Sequence, residues 1–242
     1  MGGIRAFERR YAWWIRMRER MSLKAYDSAR DRSMRKAAIA FLVGFSVCTF
    51  IYIAAVLAGA SSAHGQVPTD ANRYRLTLTR EARAAWGLNA PVAAFAGQIH
   101  QESGWNANAT SPMGAVGMAQ FMPSTSAWLS GLYPSLAEHA PRHPTWAIRA
   151  MVTYDLRQYR AVRKANDDCQ RFAFALSAYN GGLAWVHRRQ AISTQPGTCF
   201  GLTCTLNPGI RPAAQAENEA YPRRVLLVHQ KLYANWGQGI CS

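Results

Sequence analysis

Acidic side chains are scarce in this chain of 242 residues: 13 Asp and Glu stand against 28 Lys and Arg, a formal net charge of +15. Sustained period-two alternation is nearly absent, which argues against a β-sheet core. Neither CxxC nor HExxH spacing occurs, so no zinc site is expected, and Pro141 keeps His139 and His143 off one helical face. There is no GxSxG elbow, phosphate loop or dinucleotide fingerprint, which removes those routes to catalysis, and no metal or cofactor is expected. Internal repeats and low-complexity tracts are also lacking. What is present is an apolar fraction of 49% with 11% aromatics, too much for a disordered polycation.

One long uncharged run divides the chain. Ala37 to Ala60 contains 24 residues without charge or proline, and a helix of that length covers about 36 Å against a hydrocarbon core of roughly 30 Å. A transmembrane helix is expected over 37–60. Arg30, Arg32, Arg35 and Lys36 precede it and no Lys or Arg follows before Arg73, so the positive-inside bias keeps the N-terminus in the cytoplasm and exports the rest. The length of the run favours an uncleaved signal-anchor, although Ala58-Gly59-Ala60 and Ser61-Ser62-Ala63 carry the small residues a signal peptidase reads. Residues 1–36 form a basic segment whose Phe7, Tyr11, Trp14 and Met21 suit a helix on an anionic leaflet or against a partner protein. With no zinc-finger or ribonucleoprotein motif and the charge next to a membrane span, nucleic acid is not the expected partner.

Beyond the span, 61–78 reads as a linker with a short extended piece at Tyr74 to Leu78, and 79–242 as one mainly α domain. Helical spacing covers Arg80 to Trp86, Pro91 to about Ser103, Thr145 to Lys164, Cys169 to Tyr179 and Glu217 to Asn235. Four of the five cysteines follow the span, an even number on the oxidising side. Of the three pairings, Cys199 with Cys204 is favoured as a clip in the turn-rich loop 193–212, leaving Cys169 for Cys241. Cys48, inside the apolar run, reads as a filler.

Between Ala82 and Ala137 Glu102 is the only acidic residue. It follows Phe95 and Ile99 at spacings of four and three, so the carboxyl shares a face with the apolar stripe of its helix. Desolvation there would raise its pKa and keep it protonated for general-acid work, whereas a frayed helix end would turn it to solvent. A second local carboxylate, the usual glycosidase equipment, is missing. Ser111 to Pro123, SPMGAVGMAQFMP, follows with two glycines three apart that permit close backbone approach.

Four ordered motifs carry a family resemblance: Glu102-Ser-Gly-Trp, SPMGAVGMAQFMP, Ala178-Tyr179-Asn180-Gly181-Gly182, and Glu217-Asn-Glu-Ala-Tyr221-Pro-Arg-Arg-Val225. Over roughly 88–235 the chain resembles the soluble lytic transglycosylase family. The resemblance implies a lysozyme-like helical domain that acts on peptidoglycan strands, cutting between N-acetylmuramic acid and N-acetylglucosamine and leaving a 1,6-anhydro end. It also implies Glu102 as catalytic acid/base, Ser111 supporting the adjacent sugar, Gln120 and Met122 lining the cleft, and Tyr179 and Glu217 completing it. A lone acid suffices because the sugar's own C6 hydroxyl serves as nucleophile. Met118-Ala119, where many relatives carry Leu-Met, and Pro222, where they carry valine, depart from the pattern at the subsites. Asn180 and Gly181 are expected to cap a helix C-terminus. The resulting expectation is an enzyme anchored in the inner membrane and facing the periplasm, serving wall remodelling, envelope-machine assembly or phage lysis. The alternatives are a hydrolytic muramidase using Asp155 or Glu138 as base, and a non-catalytic wall-binding anchor.

Overall fold

The computed structural model describes residues 66–241. The basic segment 1–36, the span 37–60 and Cys48 lie outside them; among the described residues no helix is long and apolar enough to cross a membrane.

Seven α-helices make up the described domain: α1 Arg75–Trp86, α2 Val92–Ser103, α3 Pro123–Leu132, α4 Pro144–Ala161, α5 Asp168–Gly181, α6 Leu183–Ile192 and α7 Pro212–Arg223. A 3-10 turn at Thr69–Tyr74 leads into α1, and α7 runs on into a π-helical segment, Arg224–His229, and a last α turn, Gln230–Leu232. Local chemistry sets the boundaries. Pro123, Pro144 and Pro212 open their helices, where a missing N–H costs nothing. Asp167 caps α5 by accepting the Gln170 N–H at 2.7 Å. Gly104, at φ 59°, ends α2 in the left-handed region.

Helix α2 is the centre. Every residue from Val92 to Ile99 is buried, so it has no solvent face in its first two turns and packs between the π-helical segment, the last turn and α1. Gly97 makes this possible: a Cβ there would stand 2.7 Å from the Gln230 amide nitrogen. Around it α1 packs on α4, α4 on α5, and α5 on both α6 and α7. Trp86, Phe95, Phe172 and Tyr159 form an aromatic cluster with ring centroids 5.1 to 6.3 Å apart. Strand-like pairing among the described residues is limited to the bridges Thr110–Val116 and Val116–Phe121.

The structure departs from expectation in several elements. Tyr74 to Leu78 is not extended: the alternating Leu76-Thr77-Leu78-Thr79 is the opening of α1, with Leu78 and Ala82 buried one turn apart and Leu76 exposed, so tertiary burial overrides the local β preference. The ordered domain therefore reaches back into the stretch assigned to the linker. Helices α3 and α6 form where none was delimited. The final helix starts at Pro212 rather than Glu217 and becomes π-helical just beyond Pro222, which withholds an N–H from the α ladder. Both expected disulfides, Cys199–Cys204 and Cys169–Cys241, are present, the second tying the start of α5 to the C-terminal end.

Candidate active site

Glu102 occupies the last turn of α2, where burial gives way to partial exposure. Its neighbour Ser103 donates to the Met118 carbonyl at 2.8 Å and holds loop 104–122 against the helix end. The loop is pinned further: Val116 N–H donates to Phe121 O at 3.0 Å and Gly117 N–H to Ala109 O at 2.9 Å. Gly117, at φ 76°, lies so close to the Pro141 carbonyl that a Cβ would meet it at 2.1 Å. Only glycine fits there.

At the end of α7, the Tyr221 hydroxyl donates a hydrogen bond to Oε1 of Glu102. Tyr179, on α5, donates to the Ala119 carbonyl at 2.6 Å, joining the loop to the helical wall. Burial pushes the Glu102 carboxyl up to about 8; the Tyr221 hydrogen bond works against this and the negative charge of Glu217 adds to it. Burial, reinforced by the charge on Glu102, holds both Tyr179 and Tyr221 well above the usual tyrosine range, so both keep their protons. The arrangement is a partly exposed acid protonated at neutral pH, with one oxygen held by a phenol donor.

Residues 79–198 match the family described as Transglycosylase SLT domain. The chain carries a transglycosylase SLT domain. Among solved structures it is similar to the 70 kDa soluble lytic transglycosylase of Escherichia coli, at 22% identity and a TM-score of 0.47, over 68% of this chain and 25% of that one. The chain thus spans about a quarter of that protein's length. No curated protein matches it.

Within the SLT domain match lie Glu102, Ser111, Gln120, Met122 and Tyr179, whereas Glu217 and Tyr221 lie beyond it. The Ser111 Oγ accepts the Ala115 N–H at 3.0 Å and shapes the loop. Gln120 adopts φ 49° and its Nε2 donates to the Gly117 carbonyl at 2.8 Å. Met122 stands exposed at the start of α3. Glu217 is exposed, and its Oε1 accepts from Asn180 at 3.4 Å. Asn180 is not the helix cap expected for it: Gly182, at φ 101°, takes the left-handed position, and the Asn180 side chain instead joins Glu217 to Asn218.

Tyr221 belongs to the fourth motif, where no role is expected of it. Its position four residues after Glu217, one helical turn along the same face, was the available signal. Two buried features had none. Asp155, a proposed hydrolytic base, is sealed in the core with Gln98 donating to it at 3.2 Å, and burial holds its carboxyl well above the usual range. Arg189, 1% exposed, bonds Asn218 Oδ1 at 2.7 Å, Gln215 Oε1 at 2.6 Å, Ser177 Oγ at 3.2 Å and Leu206 O at 3.0 Å. It clamps α7, which carries Glu217 and Tyr221, to α5 and to the disulfide loop.

Proposed function

We propose that this protein is a membrane-anchored peptidoglycan lytic transglycosylase that cleaves the β-1,4 bond between N-acetylmuramic acid and N-acetylglucosamine. The observation that carries the proposal is Glu102: a carboxyl raised to about 8 by burial, partly open to solvent, with a phenol donating to one of its oxygens.

In this reading the protonated Oε2 of Glu102 gives its hydrogen to the glycosidic oxygen and the C1–O bond breaks. As the carboxylate forms, the Tyr221 hydroxyl is already placed to stabilise the new charge. The carboxylate then takes the proton of the sugar's C6 hydroxyl while that oxygen attacks C1, closing the 1,6-anhydro ring. No water is consumed and Glu102 ends protonated. Holding nucleophile and electrophile in one sugar supplies the proximity a second carboxylate would otherwise have to organise. The hydrolytic alternative finds little support, because Asp155 is fully buried and bonded to Gln98, and the one influence seen for Glu138 is its charge acting on Arg149. The anchor at 37–60, the cytoplasmic N-terminus and the periplasmic placement of the domain rest on the sequence pattern alone.

The test is product mass. Purified sacculi treated with the wild-type protein should release muropeptides lighter by one water than the hydrolytic products, and Glu102→Gln should release none above background. Products with reducing ends, or an active Glu102→Gln variant, would refute the mechanism.

A further inference from the structure

From the candidate site a row of aromatic rings runs outward to the surface. Tyr179 packs on Tyr154 at 5.4 Å between centroids, and Tyr154 meets Trp128 edge-on at 6.1 Å. Exposure rises along the row: Tyr154, on α4, is half-buried, and Trp128, on α3, is 45% exposed. At that exposure much of the indole's apolar area stays in contact with water. Here its only polar companion among the described residues is the Arg157 guanidinium, 5.1 Å from the ring centroid and itself exposed. An aromatic face paired with a cation that has no carboxylate partner among the described residues suits a ligand that is apolar on one side and anionic nearby.

We propose that Trp128 and Arg157 form an outlying subsite for the peptidoglycan strand, in which the indole receives the C–H face of an N-acetylated sugar and the guanidinium receives a carboxylate of its stem peptide. The inference rests on the glycan-cleaving reading of the site. Three features argue for this occupant. The row is continuous with the wall that holds Tyr179. Trp128 stands no more than about 12 Å from the Tyr179 ring, the span of about two sugar units. The cation matches the acidic groups of stem peptides.

Binding separates this proposal from the cleavage reading. In full-length protein carrying Glu102→Gln, calorimetry with soluble glycan strands bearing stem peptides should show Trp128→Ala weakening Kd about tenfold and Trp128→Phe less than threefold. Arg157→Ala should weaken Kd about fivefold on those strands and leave it unchanged on strands stripped of peptide by an amidase. In the catalytically intact protein, Trp128→Ala should raise KM with kcat within twofold. Unchanged affinity in Trp128→Ala would overturn the subsite while leaving the Glu102 mechanism standing, and an equal loss on stripped strands in Arg157→Ala would overturn the stem-peptide contact. Loss of binding to anionic lipid vesicles with unchanged strand affinity would assign the face to a membrane surface and overturn the proposal as well.

Discussion

Glu81 on α1 and Glu102 on α2 are both withdrawn from bulk water, yet their carboxyls are displaced in opposite directions. For each, the largest single influence is burial, which pushes the pKa up. At Glu81 that push is outweighed by two cations: Arg149 Nε at 2.8 Å and Arg80 Nη2 at 2.9 Å hold the carboxyl below its usual value. Around Glu102 the partners are a neutral phenol and a negative Glu217, so burial prevails. One glutamate is a structural anion fastening α1 to α4; the other is a stored proton. Burial alone therefore does not mark an acid for catalysis, and the charge of the neighbours decides which role results.

Neutralising each carboxyl should break the contrast in opposite senses. At Glu102 the native state holds a proton that the unfolded chain releases above 4.5, so the stability cost grows as pH rises towards about 8. Glu102→Gln removes this cost and should stabilise the fold by at most about 3 kcal/mol at pH 7 and hardly at all at pH 4, as read from urea midpoints at the two pH values. Tyr221→Phe takes away the donor that opposes burial. It should lower kcat about 10- to 100-fold and move the alkaline limb of the pH–rate profile above 8, measured by anhydro-muropeptide release. Glu81→Gln leaves Arg149 and Arg80 without their anion and should destabilise by about 1–3 kcal/mol without changing kcat. The lowered pKa of Glu81 gives stability that is present above 4.5 and lost as pH falls through the folded value, so the variant and wild type should converge in acid. The smallest effect is expected from Glu217→Gln: removing a nearby negative charge should move the alkaline limb downward by less than one pH unit, opposite in sign to Tyr221→Phe.

Much of the fold was legible because it depends on local rules. The spacing Phe95, Ile99, Glu102 identified the helix and the face on which the carboxyl sits, and the turn-rich loop with its two cysteines identified the Cys199–Cys204 clip. Misreadings arose where local preference and burial disagree. Leu76-Thr77-Leu78-Thr79 looks extended in isolation, but Leu78 is drawn into the core from a helix. Leu183–Ile192 was overlooked because its inward side carries Arg189 and Gln190, polar residues whose partners lie on other elements. Gln98 and Asp155 interrupt apolar faces for the same reason: each is buried against the other across 57 positions of chain.

The sequence by itself determined a mostly helical domain, a solitary acid at the end of an apolar helix and a cysteine set able to close in two pairs, because periodicity, capping and spacing act over a few residues. Only the tertiary structure decided that this acid keeps its proton. Burial by residues remote in the sequence holds the proton, the negative charge of Glu217 adds to that hold, and the hydrogen bond from Tyr221, 119 residues along the chain, works against it. Desolvation and electrostatic fields depend on distance through space, and separation along the chain does not enter them.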